Sequence, residues 1–277
     1  MKKITRRSFL AAAGLTAAAL ALTACGGSSS STASSVASSA AASSEAASSS
    51  AAAAELTTVE AGKLTMATNA AFPPYEMTTD AGDFEGIDIE TAQAIADKLG
   101  LELQIDDMDF DAALLSVQQG KADIVMAGVT VTDERKAVMD FSDSYATGIQ
   151  SIIVPEGSDI ASPDDLAGKK IGTQRGTTGY IYCSDDFGDE NVVAYDDGLT
   201  AVQALNNGQV DAVVIDNAPA KEFIAANPGL VILETSYAEE DYAIGLAKGS
   251  SLKDAINGAL EELKADGTLQ SIVDKYI

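Results

Sequence analysis

The sequence predicts an α/β protein whose folded part forms two lobes, and three observations lead to this prediction. Short apolar runs alternate with amphipathic segments along residues 56–277, as strands and helices do in α/β proteins. These roughly 222 residues are enough for two lobes of ordinary size. Two segments, which begin at Leu114 and at Val202, also repeat one pattern 88 residues apart.

The first 25 residues have the pattern of a targeting signal and are not expected to belong to the fold. Four basic residues precede an apolar run over residues 9–24, which is too short and too rich in Ala to span a membrane. The run ends in Leu-Thr-Ala before Cys25, which resembles a lipobox and predicts lipidation of Cys25 after cleavage. The adjacent Arg6 and Arg7 also resemble a twin-arginine signal, although we expect the general secretory route.

Residues 26–55 are rich in Ser and Ala and carry almost no charge, so they cannot bury a core. We expect a disordered tether with a reach of roughly 30 Å. No later segment is hydrophobic enough to cross a bilayer. A lipid anchor and a tether together predict a folded part held at the outer face of a bacterial cytoplasmic membrane, in an extracellular or periplasmic compartment.

Residues 56–277 contain the hydrophobic periods of alternating strands and helices. We predict strands at Leu64–Thr68, Ile124–Met126, Lys169–Thr173, Val192–Tyr195, Ala212–Ile215, Val231–Leu233 and Tyr242–Ala247. We predict helices at Ile87–Leu99, Leu114–Gln119, Leu199–Asn207, Ala218–Ala226, Leu252–Ala265 and Thr268–Tyr276, with two further helix starts after Thr132 and at Gly176.

The internal repeat consists of a short helix, a Gly, an Asp and an apolar strand. This order is common in α/β proteins, so the repeat supports two lobes without establishing them. If the two units are equivalent, Gly128 and Asp216 occupy matching positions just past the carboxyl ends of their strands. Open α/β sheets bind ligands at that end. Two facing lobes would then place Gly128 on one wall of a cleft and Asp216 on the other.

The segment 123–145 contains a candidate site for a small zwitterion. Thr132 is followed by two acids, which predicts a helix N-cap and places Arg135 in the first helical turn. The free carbonyls and the Thr130 hydroxyl at the preceding strand end can accept hydrogen bonds from an ammonium, while a guanidinium forms a fork for a carboxylate. These are the two charged groups of a free amino acid. A surface ion pair of Arg135 is the competing interpretation.

Composition excludes several classes of function. The chain has no His, which excludes triad hydrolases and zinc sites with a His ligand. Cys183 is the only cysteine of the folded part, so no intramolecular disulfide is possible, and we expect a small half-buried side chain. The net charge of −25 becomes −29 once the four basic residues of the leader are removed, and such acidity repels nucleic acid and anionic lipid.

Seven motifs occur in one order along the folded part: TNAAFPPYE at 68–76, GIDIE at 86–90, MDF at 108–110, AGVTVTDERK at 127–136, DFS at 140–142, GTTG at 176–179 and AVVID at 212–216. Together they resemble the solute-binding proteins of polar amino acid ABC transporters, family 3, in their lipoprotein form. The resemblance covers about residues 60–277.

The resemblance implies a type II periplasmic-binding-protein-like fold. In this fold two α/β lobes are joined by two strand-like crossovers that act as a hinge, and the lobes close on ligand. Here the crossovers are expected near residues 145–149 and 239–243. Residues 56–145 plus 243–277 would form lobe 1, and residues 149–239 would form lobe 2.

The resemblance also implies how the α-carboxylate of an amino acid is held. Arg135 would pair bidentately with it, helped by the backbone amides of Thr130 and Thr178. Thr177 and Thr178 lie in a strand-to-helix turn whose amides can hold an anion. This turn lacks the lysine and the spacing of a P-loop.

The α-ammonium and the side-chain stem of the ligand have their own implied contacts. Asp216, the Gly128 carbonyl and the Thr130 hydroxyl would receive the ammonium. Phe72 and Phe110 would sandwich the stem, which excludes water and strengthens the charged contacts. Plain core packing is the competing interpretation for the two Phe residues.

Three positions depart from the pattern of known relatives. Asn69 lies where binders of glutamine or of lysine, arginine and ornithine usually carry Asp, Gln174 replaces a lysine of glutamine binders, and Ile215 replaces a histidine. These changes argue against a plain glutamine site. Glu76 either supplies a counter-charge to a cationic side chain or faces solvent. The side-chain class of the ligand is therefore polar neutral or cationic.

The expected activity is capture of a free amino acid and its delivery to the membrane permease of an ABC importer. We predict no enzymatic activity, no cofactor, no metal, no nucleic acid partner and a monomer. One alternative is an amino-acid-sensing lipoprotein that acts on a signalling partner. The other is a dehydratase-like enzyme on the same fold, which would need a further acid in the cleft, with Glu76 as the spare candidate.

Overall fold

Strands and helices alternate along residues 56–277, which are the residues that the computed structural model describes. The strands are β1 Lys63–Thr68, β2 Ala71–Phe72, β3 Glu76–Thr78, β4 Phe84–Glu85, β5 Glu102–Asp107, β6 Ile124–Val125, β7 Met139–Pro155, β8 Ile171–Gln174, β9 Val192–Tyr195, β10 Ala212–Asp216, β11 Leu230–Ile232 and β12 Ala238–Ala247. The helices are α1 Ile87–Leu99, α2 Phe110–Gln118, α3 Asp133–Val138, α4 Thr178–Phe187, α5 Gly198–Asn206, α6 Asn217–Ala226, α7 Lys253–Ala265 and α8 Thr268–Tyr276. The predicted leader with Cys25 and the predicted tether lie outside the described residues.

One large sheet organises the fold, with strand order β5-β1-β6-β12-β7-β10-β8-β9 and β11 paired with β7. Strands β5, β1 and β6 are parallel to one another and form what we call the first half of the sheet. Strands β10, β8 and β9 are likewise parallel and form the second half. The antiparallel pair β7 and β12 lies between the halves, so each half is a parallel α/β unit. The mixed α/β class predicted from sequence is confirmed.

The two central strands are longer than the sequence indicated. β7 runs for 17 residues, and β12 begins at Ala238 rather than at Tyr242. Both expected crossover segments lie within these strands, where Tyr242 pairs with Ala146. The start of β12 was missed because the buried residue Glu240 alternates with the exposed residues Glu239 and Asp241, which gives an acidic run without an apolar period.

Most other predicted elements are present within one or two residues, and α1, β9 and α8 have the predicted bounds. Two features were not predicted. A three-stranded sheet, β2-β3-β4, follows β1, and its strands have only two or three residues. Strand β5 lies at the edge of the large sheet, where its mostly polar sequence carries little hydrophobic signal.

Close packing at the centre of the sheet depends on glycine. Tyr242 of β12 is fully buried, and its ring lies against Gly148 of β7. A Cβ atom at position 148 would lie 2.4 Å from that ring, so no larger residue fits there. Cys183 is fully buried rather than half-buried. None of the helices within residues 56–277 combines the length and the apolar character needed to cross a membrane.

Candidate functional site

A small cavity lies where strands of the two halves end, and its free space of about 10 Å³ is enough for one water-sized molecule. Its lining comes from the residue after β1, from β2, from the start of α2, from the ends of β8 and β10, and from the loops and helix starts that follow β6 and β8. The lining residues are Asn69, Phe72, Phe110, Ala127, Gly128, Thr130, Arg135, Gln174, Thr177, Thr178 and Asp216. The structure thus brings together ten of the eleven residues predicted to bind ligand, and it adds Ala127.

Arg135 is held in the cavity by the start of α3. The Thr132 hydroxyl accepts a hydrogen bond from the Arg135 backbone N–H, which is the predicted N-cap. The guanidinium donates to the Thr130 carbonyl at 2.7 Å and to the Gly176 carbonyl at 3.2 Å, and it lies 5.4 Å from the centre of the Phe110 ring. Arg135 is therefore buried, and the surface ion pair considered as its alternative is wrong.

The guanidinium retains capacity for a ligand. It has five N–H donors, and the two carbonyls use two of them. Burial lowers the pKa of Arg135, yet a guanidinium keeps its charge in proteins. Three spare donors on a buried cation suit a carboxylate, which can accept two parallel hydrogen bonds.

Asp216 is the second charged residue of the lining and ends β10. The Tyr242 hydroxyl donates to one carboxylate oxygen, and Gln150 Nε2 donates to the other at 2.8 Å. Burial raises the pKa of Asp216 to about 7, the hydrogen bond from Tyr242 opposes this shift, and the charge of Glu240 adds to it. A cation that entered the cavity would favour the ionised carboxylate.

Gly128 lines the cavity at a position where a larger residue does not fit. Its φ of +54° is in the left-handed region, and an added Cβ would lie 2.8 Å from Phe72. Its backbone N–H donates to Asp88 Oδ2 at 3.0 Å, and Tyr145 also donates to Asp88. Buried Asp88 thus fixes the Gly128 peptide from behind the cavity wall.

The two amide side chains of the lining, Asn69 and Gln174, contact each other at one end of the cavity. Gln174 Nε2 donates to Asn69 Oδ1 at 2.8 Å and to the Asp196 carbonyl at 3.3 Å, which uses both of its N–H groups. Asn69 Nδ2 donates to the Met108 carbonyl at 3.0 Å. Gln174 Oε1 keeps its lone pairs, so this end of the cavity offers mainly hydrogen-bond acceptors.

The two predicted aromatic residues also line the cavity. Phe72 stacks on Tyr75 with ring centres 5.9 Å apart, and Phe110 lies beneath the Arg135 guanidinium. Both rings are buried, so they make core contacts and cavity contacts together. They exclude water from the neighbourhood of Arg135, which strengthens any ion pair formed there.

Glu76 is the predicted residue that the structure places elsewhere. It is fully buried and does not belong to the cavity lining, because β3 turns its side chain into the interior near Asp88. The expectation that it faces solvent is wrong. Burial, together with the nearby charge of Asp88, raises the pKa of Glu76 well above its ordinary value. A shift in this direction favours the neutral form of the carboxyl.

Sequence reasoning missed three residues that support the lining from behind: Glu240, Gln150 and Tyr242. All three are buried and lie on the central strands β7 and β12. Glu240 Oε2 accepts hydrogen bonds from the hydroxyls of Thr130 and Thr178 at 3.1 and 3.0 Å. The acidic residues 239–241 show no apolar period, so no local signal indicated an inward-facing Glu240.

The raised pKa of Asp216 predicts a pH-dependent stability. Asp216 ionises near pH 4 when unfolded and near pH 7 when folded, so its contribution is present below about pH 4 and is lost as the pH rises through 7. Relative to Asp216→Asn, we expect the ligand-free wild type to lose up to roughly 4 kcal/mol of unfolding free energy between pH 4 and pH 8. Urea unfolding of both proteins across this range measures the difference. A difference that does not change with pH would contradict the burial effect.

Comparison with known proteins finds the same family that the sequence motifs resemble. The family model of the bacterial extracellular solute-binding proteins, family 3, matches residues 64–277. The L-cystine-binding protein TcyJ of Escherichia coli (strain K12) is 33% identical over 222 residues, which cover 78% of this chain and 83% of that protein.

Solved structures agree with the sequence match. The arginine-, lysine-, histidine-binding protein ArtJ from Geobacillus stearothermophilus is 34% identical with a TM-score of 0.75, over 78% of this chain and 95% of that one. An ancestral arginine-binding protein, solved with glutamine and with arginine, is 42% and 43% identical with a TM-score of 0.74, over 78% of this chain and 98% of that one. The chain belongs to the bacterial extracellular solute-binding proteins of family 3.

Proposed function

We propose that this chain captures a free polar or cationic L-amino acid in the cavity and delivers it to the permease of an ABC importer. One observation carries the proposal: among the lining residues, Arg135 and Asp216 are the only charged side chains, one cation and one anion. A free amino acid presents the complementary pair. The relatives include an ABC transporter arginine-binding protein and the substrate binding protein of an amino acid ABC transporter, and we propose no catalytic step for this chain.

Each end of the zwitterion has assigned partners in this proposal. Arg135 pairs with the α-carboxylate through its spare donors, and the backbone amides of Thr130 and Thr178 add hydrogen bonds. Thr178 is the first residue of α4, so its backbone N–H has no acceptor inside the helix. Asp216, the Gly128 carbonyl and the Thr130 hydroxyl receive the α-ammonium.

The ligand side chain would extend between Phe72 and Phe110 toward Asn69 and Gln174. Because this end offers mainly acceptors, it suits a side chain that ends in N–H donors, such as an amide, ureido or guanidinium group. A side-chain carboxylate at this end of the cavity would find no positively charged donor. The ancestral relative bound to glutamine and to arginine supports both the neutral and the cationic class.

Contacts that join the two walls of the cavity support the proposal that the lobes close on the ligand. Gln174 reaches Asn69, and Arg135 reaches the Gly176 carbonyl, so each pair connects the two halves of the sheet. A ligand that contacts both walls stabilises this arrangement, because an open form makes only one set of contacts. We assign residues 56–145 plus 243–277 to one lobe and 149–239 to the other, with the hinge in β7 and β12.

The compartment and anchor belong to the same proposal. Lipidation of Cys25 and a tether over residues 26–55 would hold a monomer at the outer face of the cytoplasmic membrane. Such an anchor keeps the binding protein within reach of a membrane permease. The strongly acidic charge is compatible with this position, because it disfavours adsorption to anionic lipid.

A ligand screen tests the proposal. The chain without its first 25 residues is unfolded and refolded to remove bound ligand, and thermal shifts are recorded with the common amino acids, ornithine, citrulline and cystine. We expect large shifts for a few ligands whose side chains end in N–H donors, and none for glutamate. No shift with any amino acid would contradict the proposed function.

Arginine and citrulline then separate the two side-chain classes, because they have nearly the same shape and differ in charge. Calorimetry with both ligands measures that difference alone. Tighter binding of arginine would show that the site prefers a cationic side chain. Tighter binding of citrulline or glutamine would show that it prefers a polar neutral side chain.

A further inference from the structure

Glu240 is a buried carboxylate on β12 that lies behind the cavity and outside its lining. We propose that Glu240 is a positioning residue for the ligand ammonium: it orients the Thr130 and Thr178 hydroxyls and, through Gln150, the Asp216 carboxylate. This inference rests on the proposed binding of an amino acid. None of the motifs that indicate the family includes Glu240.

One carboxylate oxygen of Glu240 accepts hydrogen bonds from three donors that belong to three parts of the fold. Oε2 accepts from Thr130 Oγ1 at 3.1 Å, from Thr178 Oγ1 at 3.0 Å and from Gln150 Nε2 at 3.0 Å. Thr130 follows β6 in the first half, Thr178 begins α4 in the second half, and Gln150 belongs to β7. A single carboxylate on a central strand therefore contacts a hydroxyl from each wall of the cavity.

These contacts decide which way the two hydroxyls can act. A threonine hydroxyl has one hydrogen to donate and two lone pairs. Once that hydrogen is donated to Glu240, the hydroxyl can only accept hydrogen bonds from the cavity side. Thr130 and Thr178 therefore present lone pairs to a ligand, which suits an ammonium group.

Gln150 connects Glu240 to Asp216 and so helps to fix the orientation of the Asp216 carboxylate. The two shortest contacts of its Nε2 atom run to Asp216 Oδ2 at 2.8 Å and to Glu240 Oε2 at 3.0 Å, and they use both N–H groups of the amide. Tyr242 donates to the other oxygen of Asp216. The carboxylate that would receive the ammonium is thus held at both oxygens by residues of the central strands.

Glu240 also acts on Asp216 through its charge. The titratable groups that face Glu240 are Arg135 from α3, Tyr182 from α4, Asp216 from β10 and Tyr242 from its own strand. Asp216 is faced in turn by Tyr242, Glu240, Tyr75, Glu76 and Arg135. Because Glu240 raises the pKa of Asp216, removal of its charge makes Asp216 easier to ionise. A merely structural role would not produce this effect.

Calorimetry on the mature chain with L-arginine and L-glutamine as probes, from pH 5 to pH 9, tests the proposal. We expect wild-type affinity to fall below about pH 7 as Asp216 takes up a proton. Glu240→Gln should weaken binding about tenfold at pH 8 and move the midpoint of this fall about one pH unit lower. Glu239→Gln is the matched control, since it removes the same charge from the exposed face of the same strand, and it should change neither quantity.

Two results would overturn the proposal. One is a Glu240→Gln protein that behaves as Glu239→Gln does, and the other is a uniform loss of affinity with an unmoved midpoint. If Glu240→Gln does not fold, Thr178→Val and Thr178→Ser replace it. Weak binding by the Val variant with recovery by the Ser variant supports the proposal, and equal binding contradicts it. A wild type that binds no amino acid would instead refute the proposed function.

Discussion

Replacing Arg135 with alanine is expected to weaken amino acid binding by about 2–5 kcal/mol, or at least about 30-fold. The side chain is buried, and two carbonyls and the Phe110 ring fix its position. Its loss would leave the ligand carboxylate in a cavity without a cation, where water cannot replace the lost hydrogen bonds. Isothermal titration calorimetry with the ligand from the screen measures the effect.

Two further variants make this result specific. Arg175 is the other arginine within residues 56–277, it is exposed, and it pairs with Asp196, so Arg175→Ala should leave affinity unchanged. Arg135→Lys keeps the charge but lacks the planar fork, and we expect it to lie between alanine and wild type. Unchanged affinity in Arg135→Ala, with a folded protein, would refute the assignment of the carboxylate site.

Asp216→Asn is expected to have the second largest effect, a loss of about 2 kcal/mol or more of binding free energy. The change keeps the shape of the side chain and removes the only anion of the lining. Asn can also donate hydrogen bonds, so its amide would face an ammonium that has only donors. The ligand would then lose its counter-charge in a buried site.

The pH dependence of binding distinguishes loss of charge from loss of packing at this position. Wild-type affinity should fall about tenfold for each pH unit below 7, because binding then requires release of a proton from Asp216. Asp216→Asn should bind weakly with little change over the same range. Asp241→Asn, an exposed change on β12, serves as the control. A steep pH dependence that persists in Asp216→Asn would assign the titration to another group.

Much of the lining could be predicted because its residues follow strand ends. Gly128 comes after β6 and Asp216 ends β10, and the internal repeat placed both at matching positions. The cap at Thr132 depends on four consecutive residues, so it was visible without the fold. The resemblance to a family added Phe72 and Phe110, whose local sequence does not separate cavity contacts from core contacts.

The acidic residues show where sequence reasoning failed. Glu76 occurs in a motif beside lining residues and was expected to reach ligand or solvent, whereas the structure buries it near Asp88. Glu240 occurs in a run of charged residues typical of an exposed segment, yet it is buried behind the cavity. Nothing in the neighbouring sequence distinguishes these two buried acids from the exposed Glu239.

By itself, the sequence determined the α/β alternation, the helix N-cap at Thr132 and the places of Gly128, Arg135 and Asp216 at strand ends and helix starts, because these depend on local periods and on residues a few positions apart. Other lining residues, such as Asn69 and Gln174, came from the family resemblance. Only the tertiary structure decided which acids are buried and what they contact. The Glu240 and Thr130 side chains lie 110 residues apart in the chain and meet only when β12 packs beside the first half of the sheet. Burial and hydrogen-bond partners of a charged side chain are set by segments distant in sequence, and no local pattern records them.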